Sequence, residues 1–133
     1  MHYNMNKESW IIVGNIYLSS WKHGDKLYQD WMLKYPEDYA ESINSDPNEI
    51  VIDKEGEYTL IVDYPLNNIY QEKFLIDKNG LKRIELVEKI VNTYKYIYDN
   101  IDIYKIWGHN LSDLILHTIY VKENNIIKLG IDS

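Results

Sequence analysis

Residues 81–100 read LKRIELVEKIVNTYKYIYDN, and this stretch decides the fold. Ile84, Val87, Val91, Tyr94 and Tyr98 recur at intervals of three and four, and Leu81, Leu86, Ile90 and Ile97 widen the stripe. That period belongs to a helix with one broad buried face. Lys82, Arg83, Glu85, Glu88, Lys89 and Asn92 fill the remaining positions. Asn79 is the nearest capping residue, and Glu85 and Lys89 can pair one turn apart. A lone helix of this kind buries its stripe against something else, and the flanking segments supply a sheet.

On the C-terminal side, DLILHTIYV (Asp113–Val121) and IIKLGID (Ile126–Asp132) surround the turn Lys122–Asn125 and predict a hairpin over 114–132. Leu111, Leu114, Ile115 and Thr118 also fit a helix over 111–119, which is the alternative. Between the long helix and this hairpin lies a short aromatic connection, IDIYKIWGHN (Ile101–Asn110). On the N-terminal side, EKFLID (Glu72–Asp77) reads as a short strand. EIVID and YTLIVDY, joined by Lys54–Glu57, read as a hairpin over 49–64 that Pro65 closes.

Further back, Ser9–Leu18 predicts a strand with Trp10, Ile12 and Ile16 on one face and Ile11, Val13 and Tyr17 on the other. Gly14 inside it suggests a bulge or a close backbone approach. Two short helices are expected at 25–35 and 36–44, the first from the stripe Tyr28, Trp31, Met32 and Tyr35. Residues 1–8 are expected to form a polar, flexible arm. The expected architecture is one α+β domain over 9–133. It has a mostly antiparallel sheet of five or six strands, one long helix packed on it and two short N-terminal helices.

Composition bounds the function. The chain has 133 residues and no cysteine, which excludes a disulfide scaffold, a thiolate zinc site and cysteine catalysis. It uses 20 Ile, 13 Asn, 13 Lys and 13 Tyr against 1 Arg and 1 Ala, the pattern of AT-rich codons in a bacterial or viral genome. No apolar run approaches the ~18–20 residues of a membrane span, and Met1–Glu8 lacks a secretory core. The expected compartment is the cytoplasm, or the host cytoplasm or virion for a viral chain. With a net charge of −7 and cations spread singly, nucleic acid is not an expected partner. Nor is a membrane. An acidic surface suits a basic protein partner.

Motifs for chemistry are few. GxSxG, GxGxxG and GxxxxGK[ST] are absent. Asp63 in LIVDYPL is the best placed of the strand-end carboxylates, ahead of Asp77 and Asp132. His109, Asp113 and His117 would line one face of a helix and could hold a metal ion there; on a strand they spread over ~13 Å. The structural reading of this region makes Trp107 an anchor of the turn against the long helix. Gly108 then takes a positive φ, His109 bonds to backbone, and Asp113 caps or turns the chain. Tyr96, two residues from both Tyr94 and Tyr98, must leave the buried stripe.

The candidate binding residues are therefore Trp107, His109, Asp113 and Tyr96, with no cofactor and no resident metal. The expected function is a small acidic, non-catalytic protein-binding module of the inhibitor, immunity-type or viral accessory kind, with self-association open to it. The alternatives are a metal-assisted hydrolase using His109, Asp113 and His117, and a structural or virion-associated assembly protein.

Overall fold

The computed structural model describes residues 8–21 and 47–133. The two expected helices at 25–35 and 36–44 and the arm at 1–7 lie outside the described residues.

Five strands form one mixed, mostly antiparallel sheet: β1 (Ser9–Tyr17), β3 (Gly56–Val62), β4 (Tyr70–Ile76), β6 (Ile115–Lys122) and β7 (Ile126–Asp132), in the order β1-β6-β7-β3-β4. Each neighbouring pair is antiparallel except β7 and β3, which run parallel through Thr59–Ile126 and Leu60–Ile127. Two short segments, β2 (Ile50–Ile52) and β5 (Leu81–Lys82), pair separately. The long helix α1 (Arg83–Tyr98) follows β5 directly, and a single turn of helix, α2 (Ile101–Tyr104), follows it.

The middle of the stripe read from the sequence is core, while Leu81, Ile84 and Tyr98 at its ends are only partly buried. Leu86, Val87, Ile90, Val91, Tyr94 and Ile97 are buried on α1, in one cluster with Ile11, Val13, Ile16, Tyr58, Leu60, Val62, Leu116, Ile119 and Ile127 from the sheet. Each such aliphatic side chain contributes roughly 1.5–3 kcal/mol by leaving water. The 111–119 segment is a single 3₁₀ turn at Leu111–Asp113 followed by β6, so the hairpin over 114–132 forms and the helical alternative does not.

Three expectations need correction. The hairpin over 49–64 does not form: β2 pairs with β5, while β3 pairs with β4 and β7. Its three residues are too few to hold β3, and their carbonyl neighbourhood is taken by the start of α1. Arg83 N–H donates to Glu49 O at 2.8 Å and Ile84 N–H to Pro47 O at 2.9 Å, satisfying two of the orphan donors of a helix N-terminus. Asn79 does not cap the helix; Glu85 accepts from Lys82 N–H at 2.8 Å. With Glu85 turned back in this way, Lys89 pairs across to Glu72 on β4 at 2.7 Å.

The third correction concerns β1. The register slips between Ile12 and Ile16, and Gly14 takes φ 87°. The bulge swaps the faces beyond it. Ile16 is buried with Ile11 and Val13, and Tyr17 is exposed with Trp10 and Ile12.

Arg83, which lies outside the apolar stripe, is 3% exposed. Its guanidinium donates to Glu49 Oε1 at 2.8 Å and to Ile12 O at 3.1 Å, so the chain's one arginine joins β1 to the 47–52 segment.

Candidate binding surface at the C-terminal end of the long helix

Two loops meet where α1 ends. The first, residues 63–69, leaves β3; the second, residues 99–110, leaves α1. They are laced together by Asn67 N–H to Lys105 O (3.1 Å), Asn68 N–H to Tyr104 O (3.1 Å) and Trp107 N–H to Pro65 O (3.0 Å). The Asn68 amide adds a bond to Ile103 O at 2.8 Å, and Leu66 and Ile106 form an antiparallel bridge. Loops pinned this way pay little further entropy on binding.

Two tyrosines one turn apart on α1 hold the loops from beneath. Tyr94 hydroxyl donates to Tyr64 O at 2.8 Å, and Tyr98 hydroxyl donates to His109 O at 3.0 Å. Burial raises the Tyr94 phenol well above its ordinary value, with the Asp63 charge adding to it. Burial, then the charges of Asp113 and Tyr64, push Tyr98 up to about 12. Both stay neutral donors at physiological pH.

Tyr64 is the hub of this corner. Its hydroxyl lies 2.9 Å from His109 Nε2 and 2.6 Å from Ser133 Oγ. A phenol has one proton to donate, so when it donates to the imidazole the serine donates to it. Trp107 meets the Tyr64 ring edge-on at 5.6 Å between centroids, and His109 lies 5.8 Å from Trp107.

Trp107 itself is 46% exposed. It does not anchor the turn against α1; tyrosine hydroxyls do that, and the indole is left outside. Gly108 takes φ 76°, as the turn requires. The His109 ring bonds to a side chain, and its backbone carbonyl is the group that is bound from the helix.

Asp113 is exposed and accepts from Asn110 N–H at 3.0 Å, closing the 3₁₀ turn. His117 is carried away on β6, where Nδ1 lies 2.8 Å from Thr118 Oγ1 and Nε2 3.6 Å from Asp132. The helix that would have aligned His109, Asp113 and His117 is absent. Among the described residues no group of three or more His, Asp or Glu could hold a metal ion. Asp63 is paired with Lys128 at 3.1 Å.

Tyr96 belongs to a second group at the same end. Tyr70, Tyr96 and Tyr104 lie 5.7–6.2 Å apart in three mutual edge-to-face contacts. Such a trimer covers its own ring faces. Tyr70 hydroxyl also donates to Glu72 at 2.8 Å. Burial pushes the Glu72 carboxyl up, but hydrogen bonds from Lys89 and Tyr70 and the Lys89 charge outweigh it and hold the group below the usual range. An open cleft of about 270 Å³ beside it is lined by Tyr70, Glu72, Lys89, Asn92, Thr93 and Tyr96.

The sequence brings forward Trp107, His109, Asp113 and Tyr96, of which Asp113 closes a turn, and it does not bring forward Tyr64, Tyr98, Ile101 or Ile103. Tyr64 carried a local signal, a tyrosine followed by proline at the end of an apolar strand. Nothing local placed it against His109, 45 residues away. The large apolar side chains exposed here are Ile69 (57%), Ile101 (50%), Ile103 (57%) and Trp107 on the two loops and Tyr96 (49%) on the last turn of α1.

Comparison with protein-family models, curated proteins and solved structures finds no match for this chain. Among the described residues no helix is long and apolar enough to cross a membrane.

Proposed function

We propose that the chain is a small, acidic, non-catalytic protein-binding module, and that the end carrying Trp107 is its contact surface. One observation carries this reading. Four large apolar side chains, Ile69, Ile101, Ile103 and Trp107, stand in solvent on two loops that are tied to each other and to α1 by hydrogen bonds. A scaffold that spends backbone and tyrosine hydrogen bonds on holding apolar groups outward fits a preformed interface better than a core.

Trp107 is the anchor, as an aromatic flanked by Tyr64 and His109, and Ile101, Ile103 and Ile69 complete the apolar centre. Asp99 and Asp102 border it and, with the net charge of −7, suit a basic partner. The function belongs with inhibitors, immunity-type proteins and viral accessory proteins of the cytoplasm, needing no cofactor.

The experiment is affinity capture from the native host with the parent, Trp107→Ala, Ile103→Glu and the distal control Ile50→Ser. One basic protein should be retained by the parent and the control, and lost with both loop variants and at high salt. Equal retention by parent and loop variants would sink the reading.

A further inference from the structure

α1 covers one face of the sheet. The register fixes what the other face carries. On β3, Tyr58, Leu60 and Val62 are buried, so Thr59 and Ile61 point the opposite way. Pairing carries that face across the sheet: Thr59 to Ile126 on β7, Ile126 to Lys122 on β6, and Lys128 to Tyr120. From β6 it passes to Trp10, Ile12 and Tyr17 on β1 through Tyr120, Thr118 and Ile115. On the other side Leu75 lies opposite Glu57 on β4. Trp10 is 66% exposed and Leu75 79%, at the two edges.

We propose that this outer face is where two copies of the chain associate, sheet against sheet about a two-fold axis. Charge is the first argument. The chain carries −7 overall, which repels a second copy. On this face the formal charges nearly balance, Lys73, Lys122 and Lys128 against Glu8, Glu57, Asp63 and Asp132, and two pairs close within the chain: Lys122 with Glu8 at 3.5 Å and Lys128 with Asp63 at 3.1 Å. It is therefore a face on which a second copy meets little net repulsion. A strongly basic partner would gain little there, which separates this surface from the Trp107 end.

Shape and area are the second. The register of β6 slips between Leu116 and Thr118, at His117, and the ring lies over Gly130, where a Cβ would come within 2.6 Å of it. The glycine lets the imidazole lie close against the sheet, keeping the middle of the face low. Five strands at ~4.8 Å spacing and ~25 Å length give roughly 500–600 Å² in plan. Side-chain relief brings that toward the ~800 Å² per partner of a standard interface. Two twisted sheets pack in this way ~10 Å apart in sandwiches.

The test is sedimentation of the full chain from micromolar to sub-millimolar concentration. The mass should rise from that of one 15.9 kDa chain toward twice that value. The double variant Trp10→Ser/Ile12→Lys should stay monomeric, and Trp107→Ala should dimerise like the parent. Thr59→Lys adds a charge in mid-face on the side away from the core and should weaken dimerisation about tenfold or more, or ~1.4 kcal/mol. It serves if the double variant does not fold. A parent that is monomeric throughout, or a dimer indifferent to Thr59→Lys and to the double variant, overturns the proposal. Neither outcome bears on the Trp107 surface, which is read by capture of another protein.

Discussion

The two ends of α1 are finished by different chemistry. At its N-terminal end the helix is closed by charge and backbone. Arg83 is buried on Glu49 and Ile12 O, and the first amides reach Glu49 O and Pro47 O. At its C-terminal end it is closed by neutral phenols: Tyr94 and Tyr98 hold two loops by their carbonyls. The first end hides a polar group at the cost of desolvating a charge. The second holds the backbone still and leaves Ile101, Ile103 and Trp107 in water. The difference separates a joint from a surface. A buried, fully partnered charge contributes to the fold and offers nothing to a ligand. Pinned loops with exposed apolar side chains add little to the fold and offer an interface.

Substitutions can break this comparison in order of size. Val91→Asp strikes the core both ends share, placing an unpaired carboxylate at a fully buried site. It should cost about 4 kcal/mol or more of a total near 5–15 and abolish cooperative melting by circular dichroism. Arg83→Ala breaks the N-terminal joint. It removes a guanidinium from a partly exposed carboxylate and strands Ile12 O, so about 2–3 kcal/mol is expected in a urea titration, with capture at the Trp107 end unchanged.

Tyr94→Phe tests the other end. Losing one buried hydroxyl on Tyr64 O should cost about 1–2 kcal/mol, and partner capture should fall because the loop bearing Tyr64 and Pro65 is released. A variant that melts lower yet binds as before would mean that loop pinning is irrelevant to the surface.

The Glu72–Lys89 pair predicts a pH effect. The Glu72 carboxyl is held below its ordinary value in the fold, so the unfolded chain takes up its proton first as pH falls. The stability it contributes is present above the ordinary glutamate range and is lost as pH drops through the lowered folded value. With both groups partly exposed the amount is about 1 kcal/mol or less. Melting temperature followed from pH 7 into the acid range, parent against Glu72→Gln, should converge at the acid end.

Smallest in stability is Trp107→Ala. With nearly half its surface already in water, it should shift stability by only about 0.5–1 kcal/mol, yet weaken partner binding by about 2 kcal/mol as an anchor does. A large loss of stability instead would return Trp107 to the structural role first expected of it.

Elements with a local, periodic signal were legible in the order of residues alone. The stripe from Ile84 to Ile97 needs only a helical period to be read, and the alternation in Tyr58–Val62 and the Lys122–Asn125 turn need only their neighbours. Even the irregularity at Gly14 was visible, because glycine inside a strand marks either a bulge or a close backbone approach, and the register shows the bulge. The consequence of that bulge was not: the slip moved Ile16 inward and Tyr17 outward, and a pattern of period two cannot say which side of the slip is in register.

The rest came from long-range packing. β2 found β5 across some thirty residues because the start of α1 needed acceptors there. Arg83 lost its solvent because Glu49 and Ile12 O could satisfy it together. Tyr64 met His109 and Ser133 only when β3, the 99–110 loop and the end of β7 converged. Trp107 was left outside because tyrosine hydroxyls had already tied its loop down. Each of these outcomes depends on which distant polar groups become available as partners, and a linear pattern of apolar residues carries no record of them.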